Sequence, residues 1–253
     1  ALDALLDGCA ADPDCRAQHP RLRDAWQGVL DSLPREVRLR DPLTGQPESL
    51  QLTRDEVLGM VRSPLYVPAL AAVLPAAIDE AARGRFDALA GLASALGSPG
   101  ARLYTGMHFS VVCAEDVPRL GRFGDAPGAQ FGDAFARLYE QACAAWPRGQ
   151  VDAAFYTTPP APVATWVLSG GADPATPPRH GERIARALGA KARHTVVPHA
   201  GHGVMALPCL RDAVLRFIEA ADDDAALQVD ASCAAALPPP RLFVPFGQTA
   251  PAR

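Results

Sequence analysis

Asp173 and His202 are the two residues of this chain whose types and setting could do acid–base chemistry. Each follows a short apolar run that is rich in β-branched residues and stops at Gly or Pro, within the segments VATWVLSGGADPATPP (163–178) and HTVVPHAGHG (194–203). Such runs predict buried strands that end in loops. A carboxylate can hold the proton on one ring nitrogen of a histidine, and the other nitrogen can then serve a nucleophile as general base.

The segment between the two loops has to bring them together. Residues 177–188 predict a helix, with Thr176 as its N-cap and Pro177 in its first position. Strand, helix and strand form a βαβ unit, whose right-handed crossover places both strand ends at the same edge of a parallel sheet. We therefore expect the carboxyl group of Asp173 to lie within bonding distance of the His202 ring, with Thr176 supporting the acid loop.

Each member of this pair has a competing interpretation. Asp173 could be an ordinary turn aspartate, and His199 lies in the same loop as His202. Gly201 and Gly203 flank His202 and leave its backbone free to place the ring close to a partner, which favours His202. The remaining histidines have no such setting and are predicted to be surface or structural residues: His19, His108, His180 and His194.

The same stretches resemble a known family. GGADPATPP (170–178) and HAGHGVM (199–205) resemble the acid and histidine segments of α/β-hydrolases. GMHFSVVCAEDVP (106–118) and LLDGCAADPDC (5–15) narrow the resemblance to the secreted tripeptidyl-aminopeptidase-like branch, which is related to the proline iminopeptidases. The resemblance implies an α/β fold and a Ser-His-Asp triad in which Asp173 is the acid and His202 the base. It implies no cofactor.

The nucleophile of that family is a serine in a G-x-S-x-G turn between a strand and a helix. None of the eight serines of this chain has glycine two residues away on both sides, although Ser169 ends a predicted strand and precedes Gly170 and Gly171. We therefore expect the chain to be the C-terminal portion of a longer hydrolase. Its expected partners are the missing N-terminal half and a peptide or small acyl substrate, and the isolated chain is expected to be inactive.

Other functions are compatible with the same residues. The chain could be a non-catalytic binding or scaffolding remnant of a hydrolase, or an esterase of the same fold. Epoxide and haloalkane hydrolases, which use an aspartate as nucleophile, also share the fold, and fold analogy alone does not separate these activities. The cysteine pattern and the segment that contains Glu115 favour the peptidase.

Two regions with different predicted elements follow one another along the chain. Residues 1–118 predict a mostly helical cap, or alternatively an independent helical domain, and residues 119–253 predict the C-terminal part of the hydrolase core. Elements are predicted along the chain as a hairpin over 37–52, a capping box from Thr53 to Glu56, helices over 70–83, 86–96 and 128–146, and a strand over 109–113.

Glu115 directly follows the predicted strand over 109–113. In the aminopeptidases that the chain resembles, acidic cap residues hold the free ammonium group of the substrate, because burying that charge requires a carboxylate partner. Glu115 is our candidate for that role. The alternative is a solvated turn or a local salt bridge.

Composition excludes several classes of protein. A formal net charge of -4 and a pI near 5.9 give no reason to expect nucleic acid as a partner. The longest apolar stretch, around 67–78, is interrupted by prolines and is shorter than the roughly 20 residues that span a bilayer, so no membrane span is expected. No zinc-type spacing of cysteines or histidines occurs, and no metal site is expected.

The six cysteines are informative about the cellular compartment in which the protein resides. Six cysteines allow fifteen complete pairings. Sequence neighbours suggest three disulfides, Cys9–Cys15, Cys113–Cys143 and Cys209–Cys233. The exported branch that the chain resembles uses similar cysteines, and disulfides would place the protein in an oxidising compartment, either outside the cell or in the periplasm. Six buried thiols in a cytosolic protein are the alternative.

Overall fold

A computed structural model of the protein describes residues 1–41, 43–95, 104–121 and 130–243. The chain divides into two compact units, one of Ala1–Leu96 with Thr158–Arg253 and one of Gly97–Thr157. These units do not follow the predicted division at residue 118. The assignment of 1–118 to a cap and of 119–253 to a hydrolase core concerns the fold of a whole enzyme and stays a prediction.

Helices and strands both occur in the described residues, which is compatible with the α/β class. The helices are α1 (Leu2–Ala11), α2 (Pro13–Gln18), α3 (Leu22–Asp31), α4 (Arg54–Arg62), α5 (Pro68–Ala71), α6 (Leu74–Ala82), α7 (Asp87–Ser94), α8 (Thr105–Glu115), α9 (Ala134–Ala145), α10 (Pro178–Leu188), α11 (Pro208–Ile218) and α12 (Asp223–Leu227). The strands are β1 (Arg35–Arg40), β2 (Pro47–Leu52), β3 (Thr165–Gly170) and β4 (Ala192–Val197).

The first part of the larger unit is built on the apolar faces of its helices. Trp26 of α3, Leu74 and Ile78 of α6 and Leu89 of α7 are all fully buried. Apolar residues three and four positions apart share one helix face, so the helices pack by burying those faces. His19, just before α3, adds a polar contact with α6, because its Nδ1 lies 2.9 Å from Asp79 Oδ2.

Two predicted features of this part are confirmed. β1 and β2 pair as an antiparallel hairpin. Thr53 caps α4, since its side chain accepts the Glu56 amide proton while the Glu56 side chain accepts the Thr53 amide proton. Both features depend only on neighbouring residues, which is why the sequence is sufficient to predict them.

The helix predicted over 70–83 is wrong as a single element. Its residues form the end of α5 and then α6, with Pro75 in the first turn of α6. Proline fits the first turn of a helix and disrupts its interior, so α6 has to begin anew at Leu74. The helix predicted over 86–96 corresponds to α7, and Leu96 lies outside the described residues.

A parallel βαβ unit dominates the second part of the larger unit. β3 pairs with β4 in register from Thr165↔Ala192 to Gly170↔Val197, and α10 connects them. Gly181 lets α10 approach the sheet closely, since a Cβ atom there would lie 2.5 Å from Ser169 Oγ. Beyond β4, a small core around Val197, Ala200 and Leu210 joins the end of the sheet to α11.

The smaller unit holds α8 and α9. The predicted strand over 109–113 is wrong, because these residues lie within α8. A short apolar run can form either element, and here an interhelical disulfide joins α8 to α9. The helix predicted over 128–146 is shorter than expected and runs over Ala134–Ala145, while residues 122–129 lie outside the described part of the chain.

All six cysteines are paired. The bonds are those suggested by sequence neighbours, namely Cys9–Cys15, Cys113–Cys143 and Cys209–Cys233. The predicted pairing is therefore confirmed. In the described ranges, none of the helices combines the length and the apolar character needed to cross a bilayer.

Removing the Cys209–Cys233 bond is expected to destabilise the protein more than removing Cys9–Cys15. The two bonds join residues 24 and 6 positions apart. If a cross-link acts by restricting the unfolded chain, the expected losses in the free energy of unfolding are about 3.5 and about 2.4 kcal/mol. Urea unfolding of the two paired Cys→Ser variants measures the losses, and equal losses would contradict the loop-length argument.

Candidate active site

The structure brings Asp173 and His202 together at one edge of the parallel sheet. Asp173 lies in the loop after β3 and His202 in the loop after β4, and Asp173 Oδ2 is 2.9 Å from His202 Nδ1. The side chain of Asp173 is 5% exposed and that of His202 is 47% exposed. The acid is thus buried behind the imidazole, and the imidazole faces solvent.

Hydrogen bonds from its own loop hold the Asp173 carboxylate in place. Oδ1 accepts the amide protons of Ala175, at 2.7 Å, and Thr176, at 2.9 Å. Oδ2 accepts the Thr176 hydroxyl proton at 2.8 Å and faces the His202 ring. These hydrogen bonds within the turn fix the carboxylate independently of its contact with His202.

The same bonds determine the charge of Asp173. Burial by itself would raise the pKa of Asp173, but hydrogen bonds from the backbone of Thr176 and Ala175, from His202 and from the Thr176 hydroxyl outweigh it, so the pKa is lowered. Asp173 is therefore ionised at neutral pH. An ionised carboxylate can only accept hydrogen bonds, so Nδ1 of His202 is the donor in this pair, and in a neutral ring the free lone pair is then on Nε2.

The His202 loop depends on its glycines. Gly203 has a φ of +99°, in the left-handed region that L side chains rarely adopt. Gly201 has no room for a side chain, because a Cβ atom would lie 2.3 Å from the carbonyl oxygen of Tyr66. Gly170 of β3 packs against the same loop. Glycine at these positions lets the loop approach both the sheet and the residues before α5.

The Thr176 side chain contacts Asp173 and does not cap α10. The helix begins at Pro178 with Pro177 in the N-cap position, and the Thr176 hydroxyl donates to Asp173 instead. The same oxygen lies 3.4 Å from His202 Nδ1. The Thr176 hydroxyl, which the sequence predicts as a helix cap, therefore contacts Asp173 and His202.

Within the described residues, no serine forms a hydrogen bond with His202. Ser169, the serine most like a nucleophile in sequence, is buried on β3 and lies 2.9 Å from Nε2 of His194. Ser98 lies outside the described residues. Nε2 of His202 forms no hydrogen bond to the part of the chain that the structure describes.

The other candidate residues lie elsewhere. Glu115 ends α8 in the smaller unit, where its carbonyl oxygen accepts the hydroxyl proton of Tyr156, and its binding of a substrate amine stays a prediction. His199 is exposed in the loop of His202. Among the described residues, no group of three or more His, Cys, Asp or Glu side chains is placed to hold a metal ion.

Tyr66 is a site residue that the sequence does not reveal. Its carbonyl oxygen accepts the amide proton of His202 at 3.0 Å, and its ring packs edge-on against the His202 ring with the centroids 5.3 Å apart. In the sequence, Tyr66 lies two residues before Pro68, in a segment that predicts only an interruption between helices. The contact joins segments far apart in the chain, so local patterns carry no sign of it.

The lowered pKa of Asp173 predicts how an Asp173→Asn variant changes acid stability. A carboxylate whose folded pKa lies below its ordinary value of 3.8 stabilises the fold above that value, and loses this contribution as pH falls through the folded pKa. The stability difference between wild type and variant is therefore expected to shrink from pH 7 to pH 3. Urea unfolding across this range measures it, and a difference that does not change with pH would contradict the prediction.

Comparison with known protein families finds a match over the part of the chain that carries the site. A family model described as TAP-like protein, Abhydrolase_4, matches residues 128–233, a range that contains β3, α10, β4, Asp173 and His202. No curated protein and no solved structure matches the chain. The family match supports an α/β-hydrolase-related family for this chain and suggests a hydrolase activity.

Proposed function

We propose that this chain supplies the acid and the base of a serine hydrolase whose nucleophile is a serine outside residues 1–253. Asp173 is the acid, His202 is the base, and the substrate is a peptide or a small acyl compound. The observation that carries the proposal is the 2.9 Å contact between the buried carboxylate of Asp173 and the imidazole of His202, whose side chain is 47% exposed.

In the proposed reaction the serine oxygen attacks the substrate carbonyl carbon while its proton passes to Nε2 of His202. Asp173 stabilises the imidazolium that forms, and the leaving amine or alcohol then takes the proton from Nε2. In the second half of the reaction, water attacks the acyl-enzyme, again with His202 as the base. This step releases the carboxylic acid product and regenerates the free serine. Asp173 does not itself change protonation, which fits its lowered pKa.

The proposed serine is external to the chain because the described serines leave the base without a partner. The hydroxyl of Ser169 is occupied by His194 on a face of the sheet that α10 covers. No serine of the sequence lies in a G-x-S-x-G turn, which would expose its hydroxyl at the end of a strand. The isolated chain is therefore proposed to be inactive.

The finer proposal is an exported peptidase of the aminopeptidase type. The family match to TAP-like proteins includes the acid and histidine loops. Three disulfides are compatible with an oxidising compartment, where such bonds persist. Export and peptide specificity together distinguish this proposal from a cytosolic esterase.

A fluorophosphonate probe, which bonds covalently to an activated serine, tests the proposal. The probe is applied to this chain and to the full product of the reading frame that encodes it. We expect labelling of the full product alone, on a serine outside residues 1–253 located by mass spectrometry. His202→Ala should abolish the labelling and His199→Ala should preserve it.

Two results would contradict the proposal. An unreactive full product would favour a non-catalytic binding role for the chain. Labelling of a serine within residues 1–253 would overturn the claim that the nucleophile is external.

The role of Glu115 gives a separate prediction on substrate choice. A Glu115→Gln variant of the full product should raise KM about tenfold for an aminoacyl p-nitroanilide, because the amide keeps an acceptor oxygen but loses the negative charge that strengthens its hydrogen bond to the ammonium group. KM for an N-acetylated analogue should not change. Asp116→Asn, which alters the exposed neighbour, is the matched control. Equal changes for both substrates would remove Glu115 from the amine site.

A further inference from the structure

A contact from outside the βαβ unit holds the backbone of the His202 loop. The amide of His202 donates to the carbonyl oxygen of Tyr66 at 3.0 Å. At Gly201 the approach is so close that a Cβ atom would lie 2.3 Å from that oxygen and 2.9 Å from Cδ of Pro68. The short segment between α4 and α5 is therefore packed closely against the loop that carries His202 and is hydrogen-bonded to it.

The side chain of Tyr66 adds a second contact, this time with the ring of His202. The two rings meet edge to face, with centroids 5.3 Å apart and planes inclined at 72°. Arg62, on the last turn of α4, lies with its guanidinium carbon 5.4 Å from the Tyr66 ring centroid. The Tyr66 ring therefore lies beside Arg62 of α4 while it packs against the imidazole.

This packing has a consequence for an imidazole that is half exposed. One side of the His202 ring faces Asp173, and the bond to Asp173 is lost if the side chain rotates into solvent. The carboxylate of Asp173 is fixed by hydrogen bonds in its own turn, whereas the His202 ring is held by its bond to Asp173 and by its packing against Tyr66. A bulky neighbour on the imidazole opposes rotation and keeps Nδ1 directed at the carboxylate.

We propose that Tyr66 is a positioning residue, whose ring keeps the His202 imidazole in the orientation in which Nδ1 donates to Asp173 and Nε2 faces the substrate. Its catalytic consequence rests on the proposed function, whereas its effect on the imidazole does not. The segment around Tyr66 would then be part of the active site, although it lies more than one hundred residues before the histidine in the sequence.

Nuclear magnetic resonance of the ¹⁵N-labelled chain tests this proposal without any assay of activity. A histidine Nδ1 proton that is hydrogen-bonded to a buried carboxylate gives a separate downfield signal. We expect that signal for His202 in the wild type. Tyr66→Ala should increase its exchange with water at least tenfold, or remove the signal, and Tyr66→Phe, which keeps the ring, should preserve it.

His194 provides the internal control. It is held by Ser169 within the sheet, three residues before the end of β4, so its signals should not move in either variant. If Tyr66→Ala also moves the His194 signals, the readout becomes the cross-relaxation between the Tyr66 and His202 ring protons in the wild type. Its absence would overturn the proposal.

The outcomes separate the two proposals. A wild-type signal that Tyr66→Ala leaves unchanged would overturn the role of Tyr66 and leave the Asp173–His202 pair intact. If the wild type lacks this His202 signal although the His194 signals are resolved, the Asp173–His202 pair is overturned. The proposed function is then overturned with it. In the full product, a positioning role further predicts a lower kcat with little change in KM for Tyr66→Ala, and recovery in Tyr66→Phe.

Discussion

The His202→Ala variant of the full product is expected to lose turnover about 10⁴-fold or more, because in the proposed mechanism the serine is then left without a base and the leaving group without a proton donor. Measured with an activated acyl ester, the loss should fall on kcat and leave KM nearly unchanged. His202 forms its hydrogen bonds through its backbone amide and Nδ1, so the substitution affects the reaction more than the binding of substrate.

His199→Ala is the matched control for this prediction. His199 is an exposed histidine three residues earlier in the same loop. Its replacement should leave turnover within about twofold of wild type. Equal losses in the two variants would mean that the loop as a whole, and not the imidazole of His202, carries the effect. Retained turnover in His202→Ala would exclude this histidine as the base.

The Gly170→Ala variant is expected to lose about 4 kcal/mol or more of its free energy of unfolding, since overpacking against backbone belongs among the severe substitutions. Gly170 ends β3 beside the histidine loop. A Cβ atom there would lie 2.1 Å from the carbonyl oxygen of Gly201 and 2.6 Å from that of Ala200. Both neighbours are backbone atoms, so the loop has to move as a whole.

Gly28→Ala is the control, because Gly28 lies within α3 and a Cβ atom there would meet nothing within 4 Å. This substitution should stabilise the protein by about 0.5–1 kcal/mol, since glycine costs that much within a helix. Urea unfolding monitored by circular dichroism measures both variants. A Gly170→Ala protein as stable as wild type would show that the end of β3 and the histidine loop are further apart than described.

Local chemistry explains why parts of the fold could be predicted. The capping box at Thr53 needs only two residues three positions apart, and the hairpin needs two short strands joined by a turn. Neighbouring cysteines paired as expected. The strand–helix–strand order likewise placed Asp173 near His202, because a parallel crossover has few possible arrangements.

Predictions failed where two local interpretations had similar support. Residues 109–113 form part of α8 although their apolar run fits a strand, and the helix predicted over 70–83 is interrupted before Pro75. Thr176 had two possible uses, as a helix cap or as a donor to Asp173, and the structure has the second. In each case the choice depends on neighbours that a linear pattern does not contain.

The sequence by itself determined which groups could do chemistry here and which loops carry them, since Asp173 and His202 each follow a strand-like run and the segment between them is helical. Only the tertiary structure decided which groups contact them. The Thr176 hydroxyl turns to the acid, and Tyr66 packs on the base from a distant part of the chain. The physical reason is that strands and turns arise from interactions among neighbours in sequence, whereas the orientation of a side chain depends on atoms that only folding brings within contact.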